Sequence, residues 1–202
     1  MKKYFVFAIA ALALSVNAAP ISFDFKDPKG VNNAIFKLDA PLEAINGSAN
    51  GISGTVVFDP QNPSTVHGKI TVAAESLHVG NPVMQGHLHS DKWLDVAKYP
   101  EITFEGVSVA NVTNTGNVTT ADLTGKMTIK GVTKDITVPV KFTYLKDKLG
   151  ARVPNLQGDL LVIRSDFTVN RSDFNIQPGQ VEDKVSESIA LSLSLAGMAP
   201  QK

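Results

Sequence analysis

The side chains best suited to chemistry gather in one stretch, "GHLHSDKWLDVAKYPEITFEG" from Gly86 to Gly106, which holds His87, His89 and the single tryptophan, Trp93. Two imidazoles two positions apart raise metal binding first. The residues just ahead, Asn81-Pro82, form a helix start, with Asn as N-cap and Pro at the first helical position. The pattern predicts a short helix over Pro82 to Ser90, with Val83, Met84, His87 and Leu88 on one side. On a helix, positions i and i+2 lie about 200° apart, so His87 and His89 cannot hold one ion together. Only an extended "HLH" would put both rings on one face, and a third ligand would still be needed in a chain with no cysteine. The expectation is therefore no metal.

Arginine is the second candidate. "RSDF" occurs twice, at Arg164 to Phe167 and at Arg171 to Phe174. The offset between the copies is odd, so in one continuous strand they face opposite ways. Arg171 could offer a bidentate fork to a ligand head group; the commoner role is an ion pair at a strand end with Asp173 or another carboxylate. Catalysis would require a nucleophile, or an acid and a base, placed together. With no Cys, no G-x-S-x-G elbow and no phosphate loop, the sequence predicts a protein that is not an enzyme and uses no cofactor.

The elements that must position these residues read as strands. Ile52, Gly54, Val56 and Phe58 share a face before "DPQNP" breaks the run; "HGKITVAAE" aligns Ile70, Val72 and Ala74; "EITFEG" aligns Ile102 and Phe104; "LTGKMTI" aligns Leu123, Met127 and Ile129. "GVTK" reads as the next turn. Beyond it Ile136, Val138, Val140, Phe142 and Tyr144 form one apolar face, and in the last strand Ile189, Leu191, Leu193 and Leu195 alternate with small polar residues. Period-two alternation of this kind gives strands with one wet and one dry face. About eight such antiparallel strands close either as a sandwich or as an up-and-down barrel. The one-dimensional pattern does not choose between them, and a filled core is the commoner outcome.

The N-terminus, Lys2-Lys3, an apolar run from Tyr4 to Leu14 and then "SVNAAP", has the three zones of a secretory signal. We expect cleavage after Ala18, leaving residues 19–202 as one domain in the periplasm or outside the cell. Lys plus Arg and Asp plus Glu number 19 each, so loss of Lys2 and Lys3 leaves a net charge of −2. No clustered basic face points to nucleic acid. No later run reaches the roughly 18 apolar residues of a membrane helix, so no stable membrane insertion is expected. Without cysteine, stability has to come from packed area.

Three blocks, "GHLHSDKWLDVAKYPEITFEG", "LTGKMTIKGVTKDITVPVKF" and "NRSDFNI", resemble in order and spacing the signature blocks of the YceI-like family of secreted bacterial polyisoprenoid-binding proteins. The resemblance runs from about Gly51 to Leu195. It implies an all-β, lipocalin-like antiparallel barrel with a short helix near one end, and a long apolar cavity for an isoprenoid-type or other long-chain apolar lipid. In such a barrel the wall is expected to include Val56, Phe58, Phe104, Leu123, Met127, Val138, Phe142 and Leu191. Leu88 and Trp93 are expected at the capped end, with His87 and Arg171 as polar contacts. Two departures stand out. A Phe-x-Val-x-His-like strand common in the family is replaced by "NAIFKLDAPLEAINGSANGISG", and "MQG" replaces the charged pair before His-Leu, which favours a neutral lipid over a phosphorylated one. The competing function is a structural or stress-response envelope domain with no dedicated ligand.

Overall fold

The computed structural model describes residues 19–201, so the expected signal segment lies outside the described residues. In chain order the strands are β1 (Ile21–Asp24), β2 (Asn33–Asp39), β3 (Ala44–Ala49), β4 (Ile52–Phe58), β5 (His67–Ala73) and β6 (Leu77–Val79). The helix α1 (Pro82–His89) follows. Then come β7 (Glu101–Thr115), β8 (Val118–Ile129), β9 (Val132–Leu145), a single helical turn α2 (Leu149–Arg152), β10 (Gly158–Asn170) and β11 (Ser188–Pro200).

Eight strands close a ring in the order β1-β4-β5-β7-β8-β9-β10-β11, and β11 returns to β1 through Asp24 opposite Met198. The barrel closure expected from the resemblance is the one found, not the sandwich. β11 pairs with β10 along its whole length, Ser188 to Pro200. Its other edge is shared: β1 takes the C-terminal end and β2 the stretch Ala190 to Ser194. β3 and then β6 extend the sheet beyond β2, so one end of the barrel has a taller wall than the ring alone would give.

Local chemistry explains the corners. The β8–β9 hairpin turns on Lys130 and Gly131, with φ of 48° and 75°. A two-residue turn with both φ positive matches the right-handed twist of its strands. The turn therefore takes Lys130 and only the Gly131 of the "GVTK" that the sequence suggested, because this pair supplies the geometry, and Val132 is already in β9. Likewise Ala74 leaves β5 and enters a 3-10 turn, although it stays buried. α1 begins as expected: the Asn81 side-chain oxygen accepts the Val83 and Met84 N–H groups at 2.9 and 3.1 Å.

One end is filled. Phe23, Phe25, Phe58, Phe142, Leu161 and Leu195 are buried there; the Phe58 and Phe142 rings lie 5.5 Å apart, and Phe23 meets Tyr144 edge-on at 6.3 Å. Burial, together with the hydroxyl's bond to the Asp159 carboxylate at 2.6 Å, pushes the Tyr144 phenol above its ordinary range. The segment just before β2 is tied down by Asp27. Its carboxylate accepts the N–H groups of Lys29, Val31 and Asn32 and an Arg152 Nη2 bond at 2.9 Å.

Candidate functional site

The other end is hollow. A cavity of about 540 Å³ runs into the barrel, with a wall that is almost entirely apolar. The period-two faces make this wall directly, since alternate side chains of each strand point inward. Val56, Phe104, Leu123, Met127, Val138, Phe142 and Leu191 all line it. Phe58, expected beside them, does not: it sits beyond the cavity floor in the aromatic plug, against Phe142 and Tyr144.

The sequence reading missed two strands of the wall. The "NAIFKLDAPLEAINGSANGISG" segment, noted only as a departure from the family pattern, forms β2 and β3, and its Ala34, Phe36, Leu38 and Ile45 face the cavity. The signal was present as alternation, Ala34, Phe36 and Leu38 against Ile35, Lys37 and Asp39. Phe36, Leu38 and Val79 form a buried cluster against which Met84 and Leu88 of α1 pack.

α1 and the turn after it cover the taller wall. Leu88, Trp93 and Leu94 line the cavity from above, as do Met84 and His87. The helix separates the two histidines. His87 borders the cavity, whereas His89 Nε2 lies 2.9 Å from the Leu77 carbonyl and 2.9 Å from Gln85 Nε2. Gln85 does more: its Oε1 accepts the Val79 N–H at 2.8 Å and its Nε2 donates to the Leu77 carbonyl at 2.7 Å. A side-chain amide thus completes the edge of β6 in place of another strand. Val83 and Val181 are 69% and 48% exposed yet also line the cavity, so they mark its mouth.

Arg171 organises the rest of the rim. β10 ends at Asn170 and the second "RSDF" enters a 3-10 turn, so Arg164 is exposed on the strand while Arg171 is 1% exposed inside. Its five N–H groups meet five carbonyls: Nε to Ser186, Nη1 to Ile176 and Gln177, Nη2 to Gln180 and Val185, all at 2.9–3.1 Å. An arginine has five donors, so this fork is fully engaged by the segment between β10 and β11. The nearest carboxylate is Glu187, 3.8 Å away, not Asp173. Burial alone would push the Glu187 carboxyl up, but hydrogen bonds from the Ser172 hydroxyl and N–H, with the Arg171 charge, hold it below the usual range. The guanidinium also lies 5.6 Å from the Trp93 ring, which links the two halves of the rim.

Between β9 and β10 the wall has a seam. β9 and β10 pair only where Lys141 to Leu145 meets Leu160 to Arg164. Pro139 has no N–H to offer, and the ladder ends there; the Ser165 hydroxyl donates to the Pro139 carbonyl at 2.6 Å instead. Beyond that point Ile129, Val169, Phe174 and Ile176 close the wall by packing.

The arrangement suits containment of an apolar molecule. Among the described residues no group of three or more His, Cys, Asp or Glu side chains is placed to hold a metal ion, and no helix is long and apolar enough to cross a membrane.

Comparison with known proteins agrees with this architecture. A UPF0312 protein of Pseudomonas paraeruginosa is 29% identical over 153 residues, covering 75% of this chain and 73% of that protein. Protein YceI of Salmonella newport is 26% identical over 202 residues, 98% of each chain. Among solved structures, a polyisoprenoid binding domain from Saccharophagus degradans superposes with a TM-score of 0.65 at 12% identity, covering 90% of this chain and all of that one, a likeness of fold. The YceI-like domain matches residues 27–196, and the chain belongs to that family.

Proposed function

We propose that the protein is an exported, non-enzymatic carrier that holds a long apolar lipid, of the isoprenoid class, inside its barrel. The cavity carries this reading. Its volume of about 540 Å³ lies within the roughly 300–1,000 Å³ typical of small-molecule sites, and its wall presents almost nothing polar to an occupant. Burying about ten methylene-sized groups at ~0.8 kcal/mol each would give on the order of 8 kcal/mol before ordering costs. Useful affinity then needs no head-group contact. Family membership and the polyisoprenoid binding named for the Saccharophagus degradans domain support the ligand class. The engaged fork of Arg171 favours a neutral head group over a phosphate, and His87, which borders the cavity, can offer it a hydrogen bond. The signal-like N-terminus supports action in the periplasm or outside the cell.

Mass spectrometry of a solvent extract of the protein purified from its own envelope tests the reading. A stoichiometric long-chain lipid is expected; an empty extract together with no binding of added isoprenoid alcohols would leave a structural domain. Val138→Phe refines the test, because it keeps the wall apolar but shortens the free length. It should weaken long chains by about tenfold or more and leave short ones nearly unaffected. Equal preference across a chain-length series would mean that the ligand does not lie along β9.

A further inference from the structure

Two aromatic rings of the cavity wall lie in room that glycines leave open. A Cβ on Gly125 would fall 2.5 Å from Phe104 Cζ and 2.9 Å from its Cε2; a Cβ on Gly47 would fall 2.1 Å from Phe36 Cζ and 2.6 Å from its Cε2. Such distances cannot be occupied in a close-packed interior. Phe36 and Gly47 stand opposite each other in the β2–β3 pair, and Gly125 is the diagonal neighbour of Phe104 in β7–β8. Neither glycine has a positive φ. What each supplies is space, not backbone freedom.

Both phenylalanines line the cavity and neither glycine does. The rings therefore cover the glycines and lie back against the sheet, leaving the lumen clear. A ring pushed off the wall by a methyl group would have open space only on its lumen side. We propose that Gly47 and Gly125 set the bore of the cavity, and so decide whether it accepts a methyl-branched chain or only a straight one. This rests on the reading that a chain lies in the cavity, and adds the positions that select its cross-section. The rule is local: Gly106, which lines the cavity beside Leu123, carries no ring over it.

The same Cβ atoms would also approach backbone oxygens, that of Glu105 for Gly125 and that of His78 for Gly47, each at 2.5 Å. The experiment must separate ring from backbone. Gly125→Ala, Phe104→Leu and the double variant are compared with the parent for displacement of an apolar fluorophore by phytol and by hexadecan-1-ol, whose main chains match in length and differ in methyl branches. Gly125→Ala should weaken phytol about tenfold and hexadecan-1-ol about threefold or less. The double variant should return phytol to within about threefold of Phe104→Leu alone, because leucine has no ring to displace. Equal weakening of both alcohols, or a double variant as weak as Gly125→Ala, would assign the effect to the Glu105 backbone and overturn the proposal. If Gly125→Ala does not fold, recovery of folding and phytol binding in the double variant supports the ring contact, and failure to recover overturns it. A parent that binds neither alcohol removes the carrier reading itself, and this inference with it, whereas a parent that binds both with unchanged preference in Gly125→Ala removes only the inference.

Discussion

Each end of the barrel is anchored by an arginine, and the two are satisfied in opposite ways. At the filled end Arg152 reaches a carboxylate, Asp27, whose side chain is 3% exposed and which is already bonded to three backbone N–H groups. Asn32 extends the lock: its amide nitrogen donates to the Phe25 and Ala196 carbonyls, and its oxygen accepts the Ala196 N–H. At the hollow end Arg171 meets carbonyls alone within hydrogen-bond distance, drawn from a segment with no regular structure of its own. The first arrangement spreads the work over several residues above a packed aromatic floor. The second concentrates it in one side chain, where a packed floor would fill the space that a ligand needs.

The largest expected effect follows from that concentration. Arg171→Met removes the charge and leaves five carbonyls without their donors, while the Glu187 carboxylate keeps only its Ser172 bonds. Because part of the rim can turn to water, we expect a loss of about 3 kcal/mol, read by urea unfolding, with a red shift of Trp93 fluorescence as its cation partner is lost. Arg171→Lys should recover only part, since an ammonium has three donors and no planar fork. Equal stability in Arg171→Met and the parent would show that the segment between β10 and β11 is held by something else.

At the filled end a single loss should cost less. Asp27→Asn keeps the shape and loses the charge, with an expected cost of about 2 kcal/mol at neutral pH. Its pH dependence is the sharper measurement. Burial pushes the Asp27 carboxyl up, but the three N–H bonds and Arg152 outweigh it and leave the folded-state value below the ordinary 3.8. A carboxylate lowered in this way contributes stability that is fully present above the unfolded-state value and is lost as pH falls through the folded one. The gap between parent and Asp27→Asn should therefore be constant near neutrality and close in acid, below about pH 4. A gap that stays open at pH 2 would mean that the charge is not what Asp27 contributes.

The two ends also differ in how far they could be read from sequence. In the strands that reach the floor, β9 alternates without interruption from Ile136 to Tyr144 and β11 from Ile189 to Leu195, and α1 announced itself through Asn81-Pro82. The hollow end was legible in its blocks but not in its assembly. Arg171 stood out, while its partners lie in "NIQPGQVEDKVSE", where no period exists to show which carbonyls turn inward. Phe36 and Leu38 were less legible because their alternation spans only Ala34 to Leu38 before "DAP" breaks it. β7 runs to Thr115, far past "EITFEG", through register shifts between Gly106 and Ser108 and between Ala110 and Thr113 that scramble its faces. Ring closure rests on a single pairing with the four-residue strand "ISFD", below what a pattern can reveal.

The smallest effect tests whether the hollow end is fragile everywhere or only at Arg171. Gln85 serves as a substitute strand for β6, but its two bonds are not equally needed. The Leu77 carbonyl also has His89 Nε2 at 2.9 Å, so it keeps a partner when Gln85 is shortened; the Val79 N–H has no such reserve. Gln85→Ala should therefore cost only about 1 kcal/mol, close to one neutral hydrogen bond. Amide exchange should quicken at Val79 and stay nearly unchanged at the β2 and β3 amides that pair beneath it. Gln85→Glu retains the acceptor for Val79 but sets a carboxylate oxygen against the Leu77 carbonyl, so it should cost at least as much as Gln85→Ala. If Gln85→Ala proved as damaging as Arg171→Met, the rim would be one cooperative unit, and the contrast drawn between a distributed floor and a single-residue hub would have to give way to a contrast between a rigid half and a marginal one.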